Sequence, residues 1–431
     1  MFVKKDLRKI PQILADATSR AVASPPSDPN PVDDDDNNDD GNDNENSNTT
    51  KKNDKNNSNN ADDDATIVTE VRFARRAPEF LPSCGVSLLL EPRYRPALDN
   101  LVQLSLYDCG LQTLTGMELQ SSSSSLDVGG TGGGGGIAPP LFPKLTSLDI
   151  GRNPKLTNDS LPNTFHTQFP RLLQLWSDDC GFGPDIPPSL LEMERLEVVR
   201  MTGNRLEGTL EGGIGIRYWK SARVLAFDGN KLSGVGKGIG KLKYLEKLHL
   251  RGNKLVALPE GVPGGDNSNL TAIGLSSNQL TSLPVSLLDV AATLKELYLN
   301  GNQIERLPEG LAEKLVGLTK LNLAHNIIGN GEKDTSAAGS QSTRGITNDG
   351  DVTMEDAEDD GIRPPPLPQD FVDRFGMPDP LTGMCTKDEC VVRMEGNPMA
   401  ESIRKKHLEE EKRKAKETAM ETEAETTESI Q

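Results

Sequence analysis

The chain has 431 residues, a net charge of −18, and 34% apolar but only 4% aromatic side chains. Residues 24–65 hold 13 acidic against 3 basic side chains and residues 331–361 hold 9 against 2, so these two stretches carry nearly all the charge. The near-neutral remainder lacks the basic surface that direct nucleic-acid binding requires. No run of 18 apolar residues exists to form a transmembrane helix, and many leucines with few aromatics favour stacked aliphatic layers over one compact core.

Residues 1–23 open with "MFVKKDLRKIPQIL", which has charge but no apolar run of the secretory type. Its Phe2, Leu7 and Ile10-Pro11 repeat the spacing of Leu250, Leu255 and Leu258-Pro259, so it reads as a half unit or cap. The alternative is a short amphipathic helix ending near Ala17. Residues 24–65 are mostly Asp, Asn, Ser and Pro and bury too little apolar surface to offset ordering entropy. They are expected to be a disordered acidic insertion.

From 66 to 329 one pattern recurs. "VTEVRFARRAP" sets Val68, Val71 and Phe73 in register, with Arg76 at a position that later units fill differently. "LVQLSLYDCGL" has Cys109 there, and a flexible Ser/Gly insertion is expected at 120–137. "LTSLDIGRNPKL" comes next with Asn153, then "LLQLWSDDCGF" with Cys180, "LEVVRMTGNRL" with Asn204 and "ARVLAFDGNKL" with Asn230. Four regular units, "LEKLHLRGNKL", "LTAIGLSSNQL", "LKELYLNGNQI" and "LTKLNLAHNII", then place Asn253, Asn278, Asn302 and Asn326 at spacings of 25, 24 and 24. The physics of each position is general. In L-x-L the leucines face one way from a strand. An asparagine amide donates and accepts, so a stacked column of them can satisfy the turn backbone. One unit cannot bury its leucines alone, whereas a stack can.

This L-x-x-L-x-L-x-x-N-x-L unit at fixed period resembles the leucine-rich repeat family, in which Asn or Cys occupies the ladder site. The intervening "LVALPEGV", "LTSLPVSL" and "IERLPEGL" resemble the Leu-Pro segments of its intracellular Ras-group and plant-type members. The resemblance implies an α/β solenoid of horseshoe shape. Parallel strands would line its concave face, short helical or irregular segments its convex side, and disordered loops would be inserted between them. Cys109 and Cys180 are then structural, and the ladder is Cys109, Asn153, Cys180, Asn204, Asn230, Asn253, Asn278, Asn302, Asn326 and Asn397.

The place of Asn397 in that ladder depends on the chain beyond Gly329. Residues 330–362 form a second acidic stretch, expected to be disordered. "PPPLPQDFVDRF" then supplies the missing Leu367-Pro368 with Phe371 behind it, and "VVRMEGNPM" supplies a strand and its asparagine. Residues 363–399 therefore read as a terminal repeat separated from Asn326 by an inserted loop, with Val392 and Met394 expected beside Leu321 and Leu323. Residues 400–431 read as a charged helix and tail. Its first turn would cover the leucine column, with Lys405–Glu409, Lys406–Glu410, Glu409–Arg413 and Glu410–Lys414 as i,i+4 pairs. "RKK…KRKAK" also fits a nuclear localisation signal.

No catalytic constellation emerges, and no enzymatic activity, cofactor or metal is expected. "GGTGGGGG" and "SGVGKGIGKL" both lack the GK[ST] of a phosphate loop. His166, His249, His325 and His407 have no metal-ligand spacing, and Cys385 and Cys390 have no second pair. Candidate protein-binding residues instead are read at the x positions of the strands, facing the concave surface: Tyr107, Asp149, Trp176, Asp178, Arg200, Asp228, Lys247, His249, Arg251, Tyr298 and His325, with Asp108, Asp179 and Asn322 beside them. Exposed Trp and Tyr among Arg and Asp is the composition of a binding hot spot, and Trp176 is the foremost candidate. The alternative for each is a solvated sheet face. Asp149, Asp178 and Asp179 are expected to be balanced by Arg200.

The expected function is non-enzymatic: a monomeric signalling scaffold or adaptor that holds a protein partner on the concave face. Neither nucleic acid nor membrane is expected as a partner. Resemblance to the acidic nuclear phosphoproteins implies a rival, a nuclear regulator of basic proteins such as histones. A targeting subunit for an enzyme such as a phosphatase is a third reading. Scattered, odd-numbered cysteines suit a reducing compartment, so a cytoplasmic or nuclear location is expected.

Overall fold

Each x-L-x step forms a strand of three or so residues, because alternation along an extended chain sends the central aliphatic side chain inward and its two neighbours outward. A computed structural model describes residues 10–23, 69–73, 89, 91–114, 140–210, 218–264, 266–329 and 367–428. Its strands are β1 (Glu70–Arg72), β2 (Gln103–Ser105), β3 (Ser147–Asp149), β4 (Gln174–Trp176), β5 (Val198–Arg200), β6 (Glu207–Thr209) and β7 (Val224–Ala226). Beyond them lie β8 (Lys231–Gly234), β9 (Lys247–His249), β10 (Ala272–Gly274), β11 (Glu296–Tyr298), β12 (Lys320–Asn322), β13 (Met384–Cys385) and β14 (Val391–Arg393).

Twelve strands make one sheet in the order β1-β2-β3-β4-β5-β7-β9-β10-β11-β12-β14-β13, parallel except for the last pair. The central residue of each parallel strand stays in register, from Val71 beside Leu104 to Leu321 beside Val392, and each is buried. This is a continuous aliphatic column of the kind a repeat array needs. The expected place of Val392 beside Leu321 is thus observed.

The asparagines hold the turns at the ends of the strands. Asn278 donates to Leu250 O at 2.9 Å and Leu275 O at 3.0 Å, and its Oδ1 accepts from Leu255 N at 3.1 Å. Asn397 repeats this pattern across the long sequence gap: it donates to Leu323 O and Met394 O, and accepts from Ile328 N. The thiols do half of the same work, Cys180 donating to Ile150 O at 3.3 Å and Cys109 to Phe73 O at 2.9 Å. In all ten of these units the residue before the ladder position has φ between 53° and 74°, and in five of them it is glycine. That left-handed step turns the chain off the sheet and favours glycine there.

On the other side of the column, Leu258, Leu283, Leu307 and Leu367 are buried just before their prolines. Helix Gln369–Phe375 packs on helix Leu311–Lys314 of the preceding unit, where Asp370 accepts from Ala312 N at 3.0 Å and Arg374 donates to Ala312 O. The return segments are more regular near the middle than expected. β6 and β8 pair in parallel as a second, two-stranded sheet, and Glu207 N donates to Pro184 O to tie in the unit before. In "SGVGKGIGKL", Gly240 packs so closely on the next unit that a Cβ there would lie 1.9 Å from Gly261 O. Gly240 therefore serves repeat packing.

Both ends depart from the sequence expectations. Residues Ile10–Ala23 form a helix that runs six residues past the end near Ala17 expected for the amphipathic alternative; Leu14 and Ala17 are buried and it packs on helix Arg95–Asn100. Phe2 and Leu7, the strand half of the proposed half unit, lie outside the described residues, as do the insertions at 24–65, 120–137 and 330–362. At the other end β13 folds back antiparallel onto β14, an added strand that the repeat pattern does not contain. Helix Pro398–Glu428 then begins with Met399 and Ala400 buried and Ile403 packed against the core, as a cover for the column. Of its expected pairs Glu410–Lys414 forms at 3.1 Å, while Arg413 turns to Glu417. Such exposed pairs contribute little.

Candidate interaction face

The outward residues of the strands form a continuous surface whose lateral order is that of the sheet. After each central aliphatic residue comes Arg72, Ser105, Asp149, Trp176, Arg200, Ala226, His249, Gly274, Tyr298, Asn322 and finally Arg393, neighbours in register. The candidates therefore fall into two groups. Asp149, Trp176 and Arg200 are adjacent on β3, β4 and β5. Lys247, His249 and Tyr298 lie on β9 and β11, five strand steps from Trp176 in the case of Tyr298. At the spacing of neighbouring strands that is about 24 Å, so the two aromatics cannot share one small pocket.

The first group is the more built. A depression of about 290 Å³ lies over β1–β4, lined by Arg72, Gln103, Ser105, Ser147, Asp149 and Trp176 among others. Small side chains line its floor: Ser105 stands in register with Arg72, and Ser147 in register with Gln103 and Gln174. Asp149 Oδ2 accepts from Ser105 Oγ at 2.9 Å and Oδ1 from Gly151 N at 3.0 Å. Gly151 is buried beside the Tyr107 ring, and a Cβ there would stand 3.2 Å from Asp149 Oδ1 and 3.3 Å from Tyr107 Cδ2. Arg152 is held above the ordinary guanidinium range, first by its hydrogen bond with the Tyr107 side chain and then by the charges of Asp108 and Asp179.

Several candidates turn out to be occupied. Arg200 pairs with Asp178 at 2.8 Å, and it does not pair with Asp149, which is two strands away. Asp178 Oδ1 also accepts from Thr202 N at 2.9 Å, and Asp228 Oδ1 accepts from Arg251 N at 2.6 Å. Both carboxylates brace the turn of the next unit, a role that the spacing two before the ladder residue could have suggested. His249 lies across Gly274, where a Cβ would meet its Nδ1 at 3.2 Å. Tyr298 hydroxyl bonds Glu296, which pairs with Lys320. Arg251 and His325 are exposed in the turns after the strands, His325 in the left-handed position.

Serines 105 and 147, Gln103 and Arg72 were not among the candidates, although strand alternation puts them on this face. Trp219 was also overlooked. It is fully buried on the return side, its indole N–H donating to Leu190 O at 3.1 Å. The thiols lie away from this chemistry. Burial pushes Cys180 and Cys385 up to about 12 and Cys390 up to about 11. Alkylation of the native protein at pH 8 is expected to leave these three and buried Cys109 unmodified, because the thiolate is the nucleophile. Peptide mass mapping reads this, and rapid labelling of Cys180 would contradict it.

A family model described as leucine rich repeat matches residues 268–328, the units of Asn278, Asn302 and Asn326. The chain carries leucine-rich repeats. The same ladder bonds extend them beyond the matched residues to Asn153 on one side and Asn397 on the other. Among solved structures, a leucine-rich repeat protein of Leptospira interrogans is similar, 24% identical with a TM-score of 0.44. The match covers 56% of this chain and 52% of that one, so it spans about half the length of that protein. No curated protein matches the chain. Among the described residues, no three His, Cys, Asp or Glu side chains are placed to hold a metal ion, and no helix is long and apolar enough to cross a membrane.

Proposed function

We propose that the protein is a non-enzymatic scaffold or adaptor that binds a partner protein across the outward face of its leucine-rich repeat sheet, centred on Trp176. The observation that carries this reading is the partly exposed indole of Trp176, on a strand between Asp149 and the Arg200–Asp178 pair, at the rim of a formed depression. Large rigid aromatics beside Arg and Asp are the residues on which interface energy concentrates. Leucine-rich repeats are generally protein-interaction modules, which supports the class of function. The intracellular setting and the signalling role rest on the Leu-Pro repeat type and the scattered cysteines.

Capture of partners by the tagged full-length protein tests the reading, with Trp176→Ala/Arg200→Ala as the comparison. At least one partner is expected to be lost, because removal of a hot-spot aromatic costs about 2 kcal/mol or more of binding. Both side chains face outward, so melting should change little. An identical partner set at unchanged melting temperature would defeat the proposal.

A further inference from the structure

The depression over β1–β4 has the wrong balance of charge to be left empty at an interface. Its single lining carboxylate is Asp149 and its single lining cation is Arg72. Arg72 is already paired with Glu70 on its own strand. Asp149 has no ion-pair partner among the described residues, and its carboxylate accepts among them from Ser105 Oγ and Gly151 N. A bound protein that covered this depression would strip water from an uncompensated carboxylate, which is costly unless the partner supplies a cation.

The acceptor geometry narrows the cation. A carboxylate has about four lone-pair sites, two on each oxygen. The Ser105 and Gly151 bonds use one on each oxygen and fix the orientation of the group. One site per oxygen remains, which matches the two parallel N–H groups of a guanidinium. Trp176, next to Asp149 in register, offers an indole to the same depression. A planar, weakly hydrated guanidinium can stack on it, whereas a compact ammonium keeps its water and bonds at one point. The serine floor leaves room for the side chain and has hydroxyls for its remaining N–H groups.

We infer that this depression receives an arginine side chain of the partner protein, bound bidentate to Asp149 and stacked on Trp176. This rests on the reading of the face as a protein-binding surface and adds the chemistry of what it recognises.

Tryptophan emission gives the test, since the chain has two tryptophans and Trp219 is fully buried. The full-length protein is titrated at low ionic strength with the blocked peptide Ser-Val-Arg-Val-Ser, and with its lysine and citrulline counterparts. A saturable change is expected with the arginine peptide, weakening with added salt on the unmodified chain. Asp149→Asn should weaken binding about tenfold, as should citrulline, each removing a charge-assisted pair. The inference is overturned if no saturable change occurs, if citrulline or lysine binds as well as arginine, or if Asp149→Asn binds unchanged. Partner capture that still depends on Trp176 while citrulline equals arginine would overturn the arginine and leave the interaction face standing. Capture that ignores Trp176 would defeat the face itself.

Discussion

A chain stopped after Gly329 is expected to lose on the order of 5 kcal/mol or more of stability relative to the full chain, from the apolar burial it gives up. Residues 367–399 bury Leu367, Phe371, Phe375, Val392, Met394 and Met399. At about 1.5–3 kcal/mol for each of these six large apolar side chains, that burial gives roughly 9–18 kcal/mol before the ordering entropy of the segment is subtracted. The truncation also uncovers Leu321 and Leu323 and removes the groups that bond Leu323 N, His325 N and Ile328 N. Deleting residues 335–358 instead should shift stability by less than about 1 kcal/mol, since loop closure changes only slowly with length. Urea denaturation of the three proteins decides the matter. Equal midpoints for the truncated and full chains would place the end of the stable array at Gly329.

Replacing Asn278 with alanine is expected to cost about 3 kcal/mol. The loss leaves Leu255 N without its acceptor in a buried turn, at roughly 1–3 kcal/mol, and removes one of the two amide donors at Leu250 O and at Leu275 O, which keep Asn253 and Asn302, at about 1 kcal/mol each. Asn278→Cys should lose less, because the thiol can keep one donor bond as Cys180 does to Ile150 O. Thermal or urea melts of both variants check the order. If alanine and cysteine are equally harmful, the ladder does not act through hydrogen bonds. Because repeats interact chiefly with their neighbours, the same change at Asn397, nearer the end, should affect a smaller part of the array.

The column and the ladder were legible in the sequence because both arise from periodicity. A residue's place in the unit sets its face, and the 25 and 24 residue spacings hold the register, so Val392 could be assigned across a 71-residue gap from Asn326 to Asn397. Features that depend on contacts between units were not legible. The second sheet of β6 and β8 arises only where two consecutive return segments extend alike. The length of helix Ile10–Ala23 reflects docking on Arg95–Asn100, which lies 72 residues further along. The choice of Asp178 over Asp149 by Arg200 is a matter of reach between adjacent units, which spacing does not encode. Trp219 and Trp176 look equivalent as letters, yet one faces the column and the other the solvent side. On the candidate face, alternation put Asp149, Trp176 and Arg200 side by side, as the register does. The depression itself comes from small residues, and a search for large ones passes over serines.

The antiparallel return of β13 onto β14 has a consequence for how such a chain can change. A parallel edge strand is a template on which a further unit, or another molecule, can add. Here the last template is used by two residues running the opposite way, and the helix from Pro398 covers the apolar end. Duplicated units appended after residue 399 would find no matching edge. Growth by duplication is therefore confined to the interior, where any unit can be copied between two like neighbours, and the closing hairpin travels outward intact each time the array lengthens.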